Sequence, residues 1–234
     1  MVMPGQFLER PTLVDAGGFC LEGLWHRGAR PPALLVLSPH PAFGGGSMDF
    51  PLSLEIAWAA TRREHATLRF NWRGVGASQG ASDGLEAALE DAEQALHLLR
   101  DNIRHDQIAV AGIAFGAEVA CLLAQRHPEL TGILLAAPSE ELLQSLAERG
   151  RLPADVCVFW PGKESSPDAS HEEMDTLRRR SGIALHVVPE ANPAFSEGLV
   201  QMGEAIAEKL DELGGVRCGT ELRGASGRGE GTVE

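Results

Sequence analysis

A strand that runs straight into a glycine-framed turn sets the strongest limit on what this chain can fold into. Residues 107–116 read Gln-Ile-Ala-Val-Ala-Gly-Ile-Ala-Phe-Gly. The apolar run has the length of a fully buried strand, and the segment at 116–127 has the length and pattern of a helix. Gly112 and Gly116 frame Ala114. Glycine lets two backbones approach closely where a chain must reverse in a few residues. A strand passed to a helix through so tight a turn is a building unit of a parallel sheet.

The rest of the chain repeats that alternation. Phe7 to Trp25 reads as an antiparallel hairpin turned at Asp15-Ala-Gly-Gly18. Ala33–Leu37 and Ala66–Phe70 are strand patterns, separated by a Pro- and Gly-rich loop at 38–49 and a helix over 50–64. That helix starts near Asp49 with Pro51 in its first turn, where a missing N–H costs little. The spacing of Leu85, Leu89, Ala92, Leu96 and Leu99 predicts a helix over 84–102, and Asp83 with Glu86 reads as its capping box. Strands at 131–136, 155–160 and 184–188 then alternate with helices at 139–149, 170–180 and about 193–213. Residues 1–213 therefore make one α/β domain. Residues 214–234 are rich in glycine, poor in apolar residues and without period, and read as a disordered tail.

Charge and composition exclude several functions. A net charge of -13 with no basic run opposes binding to nucleic acid or to an anionic membrane. No apolar run approaches the roughly 20 residues that span a bilayer. The first residues lack the basic and apolar regions of a secretory leader, so a cytoplasmic location is expected. Cys20, Cys121, Cys157 and Cys218 have no CxxC spacing; the first three fall in strand or helix patterns and read as reduced thiols.

Three segments, in order, resemble one group of α/β-hydrolases, the small bacterial proteins related to dienelactone hydrolases. They are Ser38-Pro-His-Pro-Ala-Phe-Gly-Gly-Gly-Ser-Met48, Leu68-Arg-Phe-Asn-Trp-Arg-Gly-Val-Gly76, and the turn at Gly112–Gly116. The first is similar to the group's Pro-His-Pro-x-x-Gly-Gly loop. The resemblance covers roughly residues 33–210. It implies an α/β-hydrolase fold: a mostly parallel sheet, an N-terminal antiparallel hairpin, helices on both faces and no large cap, since 137–155 is too short to hold one.

The resemblance also implies where a nucleophile, a base and an orienting acid should stand. The nucleophile position, between the glycines of a Gly-x-Ser-x-Gly elbow, is Ala114. The acid position, in a Gly-x-x-Asp turn, is Ser165, with Glu164 beside it. The histidine position, after the last strand, is Pro193. A methyl cannot attack a carbonyl and a proline ring holds no base. Loss at all three positions points to natural decay of the machinery rather than to one inactivating substitution. Asn192-Pro193 reads instead as the start of the last helix, with Asn as cap and Pro in the first turn. Two backbone donors of an oxyanion hole do not need a serine; by resemblance these are the N–H groups of Phe115 and Ala42, with His40 and Met48 on the loop that shapes the pocket. His40 is expected to hydrogen-bond that loop.

Other patterns carry less. Gly74-x-Gly76-x-x-x-Gly80 departs from the dinucleotide fingerprint, so no cofactor is expected. His171 and Asp175 have ligand spacing, but Ser170 and Glu173 account for that segment as a helix cap, so no metal is expected. Gly44–Gly46 reads as a flexible loop. The remaining histidines fall at element surfaces or in turns. The expected function is that of a non-catalytic α/β-hydrolase-like protein that binds a small acyl or carboxylate ligand, or a protein partner as an interaction or regulatory subunit. The alternatives are an unorthodox ester or acyl hydrolase working through Glu164 and His40, and a structural paralogue that pairs with an active hydrolase.

Overall fold

The computed structural model describes residues 9–42, 46–149, 152, 154–163, 183–193 and 195–215. Ser165, Glu164, the 170–180 helix with His171 and Asp175, Gly44 and Gly45, and the tail from 216 lie outside the described residues. Eight strands form one sheet in the order β1-β2-β4-β3-β5-β6-β7-β8. They are β1 (Arg10–Asp15), β2 (Cys20–His26), β3 (Arg30–Leu37), β4 (His65–Phe70), β5 (Ile108–Ile113), β6 (Gly132–Ala136), β7 (Asp155–Pro161) and β8 (Ala184–Val188). β2 runs antiparallel to β1 and β4, and every other pairing is parallel. The hairpin turn closes through Ala16 N–H to Phe19 O and Gly17 N–H to Asp15 Oδ1.

The continuous apolar runs of the central strands alternate between two cores, one on each face of the sheet. Leu35, Leu37, Ile108 and Val110 face one side, where they meet α2 (Gly84–Asn102) and α3 (Phe115–Arg126) through Leu89, Leu96, Val119 and Leu123. Leu34, Val36, Ala109 and Ala111 face the other, against α1 (Pro51–Arg62) and α5 (Leu199–Leu213) through Leu52, Ile56, Met202 and Ile206. A side chain such as Leu35, with no exposed surface, contributes about 1.5–3 kcal/mol by burial. Between β6 and β7 the described residues form one helix, α4 (Glu140–Arg149), and no cap.

Three local expectations need correction. The Asp83 carboxylate makes no cap to α2, and Glu86 instead pairs with Arg126 on α3 at 2.6 Å. Gly84, at φ +80°, turns the backbone away from the geometry a capping box needs. The last helix starts at Leu199 rather than near Pro193. Asn192 Oδ1 accepts from Ser196 N–H at 3.0 Å, so its side chain closes a tight turn, and the left-handed Gly198 separates that turn from α5. His26 and His65 are buried rather than at a surface: the His26 ring meets Glu9, and the His65 ring is enclosed between Pro32 O and the Asp211 carboxylate.

Candidate functional site

Ala114 lies between β5 and α3 at φ +50°, ψ −110°. A residue with a Cβ pays about 1–3 kcal/mol to hold such a backbone. The surroundings leave no other course. A Cβ on Gly112 would overlap the carbonyl of Gly116, and one on Gly116 would overlap the carbonyl of Leu37, so strand, turn and helix are in direct backbone contact. Ala114 N–H donates to Ala136 O at 3.1 Å and its carbonyl accepts from Ala117 N–H at 2.9 Å. The result is a strained elbow that presents its central side chain, a methyl, to solvent.

The loop after β3 arches over this elbow and is held by the second motif. Arg69, almost wholly buried, donates to Met48 O at 2.7 Å and pairs with Asp49 at 2.9 Å and with Glu9. Asn71 Oδ1 accepts from Met48 N–H at 2.7 Å, and its Nδ2 donates to Glu22 Oε2 at 2.8 Å. Trp72 Nε1 donates to the carbonyls of Ser38 and Pro39. Arg73 grips the fully buried Asp91 through both its main-chain N–H and its guanidinium, each at 2.9 Å. Its hydrogen bonding to Asp91 holds the Arg73 guanidinium pKa above its usual value, against the opposing effect of burial. The residues of the second motif thus serve as fasteners for the loop. Asp91 and Glu22, which complete these fastenings, carry no sequence signal beyond a carboxylate on a helix or strand.

The candidate oxyanion donors behave differently from one another. Phe115 N–H opens α3, where first-turn amides have no intrahelical acceptor and the helix dipole favours negative charge. Ala42 N–H donates to His40 Nδ1 at 3.0 Å, so an imidazole already occupies the second donor. The two-residue spacing lets the His40 ring fold back onto its own loop. That ring also packs edge-on against Phe115, with centroids 4.7 Å apart, and Trp72 packs on Phe115 from 6.0 Å. Between Pro41, Trp72 and Phe115 the cleft holds about 10 Å³, barely room for one water. Met48 is buried and bonded through both its N–H and its carbonyl, which makes it part of the loop's anchorage.

Of the acid and base positions, Pro193 alone is among the described residues. Pro193 lies past the C-terminal end of β8, in the turn closed by Asn192. His186, on β8, is exposed and packs on Phe159 at 5.5 Å. Burial pushes the Cys121 thiol up to about 12 and the Cys157 thiol up to about 11, so neither is a nucleophile near neutral pH. Among the described residues no group of three or more His, Cys, Asp or Glu could hold a metal, and no helix is long and apolar enough to cross a membrane.

A mostly parallel sheet with an antiparallel N-terminal hairpin, and a strained strand–elbow–helix at its centre, is the architecture of the α/β hydrolases. The model of the serine aminopeptidase S33 family matches residues 47–157. An uncharacterised protein of Rickettsia prowazekii is 34% identical over 171 residues, 71% of each chain. A protein of unknown function from Agrobacterium tumefaciens, a candidate α/β hydrolase, superposes with a TM-score of 0.73 at 27% identity, covering 88% of this chain and 97% of that one. A lidless α/β serine hydrolase from Xanthomonas campestris superposes at 0.69 with 21% identity, covering 91% and 97%. The chain belongs to the α/β-hydrolase superfamily.

Proposed function

We propose that this protein is a pseudo-hydrolase that keeps the elbow of its superfamily as a binding feature and does not turn over acyl substrates. The observation that carries this reading is the exposed methyl of Ala114 on an otherwise intact elbow. Losing a nucleophile alone costs several orders of magnitude in rate. The engagement of Ala42 N–H by His40 removes a second contribution, since one oxyanion donor is worth about 10²–10³ in rate. What is left is Phe115 N–H at the positive end of α3. That arrangement suits a weakly held carboxylate or acyl oxygen.

The test is labelling with a fluorophosphonate probe, alongside hydrolysis of p-nitrophenyl esters. The native protein is expected to give neither. Ala114→Ser is expected to stay nearly unlabelled as well, because Pro193 supplies no base to take the serine proton. Robust labelling of that variant would show that a base reaches the elbow from elsewhere and would overturn the proposal. Titration with acetate, followed by amide NMR, checks the binding half: Phe115 N–H should shift, and an unchanged resonance at saturating acetate would rule it out.

A further inference from the structure

At the opposite end of the sheet, where β3, β4 and β5 begin, a cleft of about 870 Å³ opens between the hairpin, the α1–β4 turn and the end of α2. This is a volume ordinary for a small-molecule site. It is lined by Arg10, Arg27 and Arg104, three cations brought from distant parts of the sequence. Arg30, Arg62, Arg63, Arg69, Arg73, Arg100 and Arg126 each hold a carboxylate. The three in the cleft are alone among the arginines with described side chains in holding none. They stand together in a chain of net charge -13, where carboxylates are in excess. Glu64 is the acid in the lining, so the wall carries two net positive charges.

The wall has two further features. His105 lines the same cleft, and both its ring nitrogens are shielded from water without a hydrogen-bond partner. Leaving such a group unpaired costs about 1–3 kcal/mol. Half-buried Trp25 adds an aromatic side chain to the same wall. The floor is rigid: the Glu64 carbonyl accepts from both Ala29 and Arg30 N–H, and Gly28 packs so closely on this turn that a Cβ there would overlap the backbone at 64–66.

We infer that this cleft is a binding site for a small organic phosphate, a dianion that the guanidinium forks neutralise, carrying an aromatic group that stacks on Trp25. Guanidinium matches phosphate oxygens in pairs, and a phosphate monoester carries close to two charges at neutral pH. A single carboxylate would leave one positive charge unanswered. The site lies at the other end of the strands from Ala114 and does not rest on the reading of the elbow.

Isothermal titration with adenosine 5′-monophosphate tests it, with adenosine and inorganic phosphate as separate arms. The nucleotide is expected to bind with a Kd of about 10–100 μM, at least tenfold tighter than either part alone. Arg27→Ala and Arg104→Ala should each weaken it about tenfold, and the double variant should lose it. Trp25→Phe should weaken binding less and remove the accompanying change in tryptophan fluorescence. Binding of the nucleotide unaltered in the Arg27→Ala, Arg104→Ala double variant would overturn the proposal. So would adenosine binding as tightly as the nucleotide, inorganic phosphate binding as tightly, or no heat up to millimolar nucleotide. All three arginines are exposed, so these variants should fold like the parent.

Discussion

The two ends of the sheet use polar groups in opposite ways. At the elbow end, where the superfamily places its chemistry, the polar groups are spent on one another: Arg73 on Asp91, Asn71 on Met48 and Glu22, and Ala42 N–H on His40. At the other end, three arginines and a histidine line a cleft with no partner. The difference is not one of depth in the sheet. Close by, at the start of β3 and β4, Asp211 holds Arg30 and Arg63 at 2.7 Å and His65 at 3.2 Å. Pairing is the rule even there, and the cleft is the exception. Internally paired groups hold a shape, while unpaired ones are available to something outside the chain.

Equal truncations at the two ends should therefore have unequal results. Asp91→Ala leaves the Arg73 guanidinium, only 14% exposed, without its buried partner. Breaking a buried pair in this way costs about 3–5 kcal/mol. Arg104→Ala removes an exposed charge that holds nothing, and its effect should fall within about 0.5 kcal/mol. Urea unfolding of both variants checks the contrast. Similar losses in the two would mean that Arg104 holds structure, and the cleft would lose its claim to be unspent.

The Asp211 cluster predicts how stability responds to acid. Burial pushes the Asp211 carboxyl up, but hydrogen bonds from Arg63 and His65 and the charge of Arg30 outweigh it, and the group lies below its ordinary value. A carboxylate with a depressed folded-state pKa stabilises the fold above its unfolded value, and that contribution fades as pH falls below about 4 through the folded value. Stability should therefore drop on acidification in the native protein, and less steeply in Asp211→Asn. Parallel curves for the two proteins would show that the cluster contributes no linkage. Removing the cleft arginines, which hold no carboxylate, should leave the curve unchanged.

Much of the fold was legible because burial writes itself as periodicity. The spacing of Leu85 to Leu99 marks α2, which spans Gly84–Asn102, and the glycines at 112 and 116 mark the elbow. Boundaries set by side-chain hydrogen bonds were harder. Asn192 and Asp83 have the chemistry of helix caps, yet one closes a turn and the other caps nothing, since the left-handed Gly198 and Gly84 decide where the helices begin. The cleft was not legible at all. Arg10, Arg27 and Arg104 share no local pattern, and only the order in which β1 to β5 cross the sheet brings them to one wall. Glu22 and Asp91 were hidden for the same reason.

The smallest expected effect concerns Ala114 itself. If its backbone is held by the contacts of Gly112 and Gly116, the alanine methyl contributes strain and nothing else. A backbone at φ +50°, ψ −110° costs a residue with a Cβ about 1–3 kcal/mol, and glycine loses about 0.5–1 kcal/mol of that gain to unfolded-state entropy. Ala114→Gly should then stabilise the protein by about 1 kcal/mol, a rise in melting temperature of roughly 2–4 °C for a domain of this size. Calorimetry decides the sign. A lower melting temperature would mean that the methyl makes contacts worth more than the strain it carries, so that the elbow end also keeps a side chain in place for its own sake. A higher one, with Phe115 N–H still responding to acetate, would show that the site works through the backbone alone and that the residue in the nucleophile's place is dispensable.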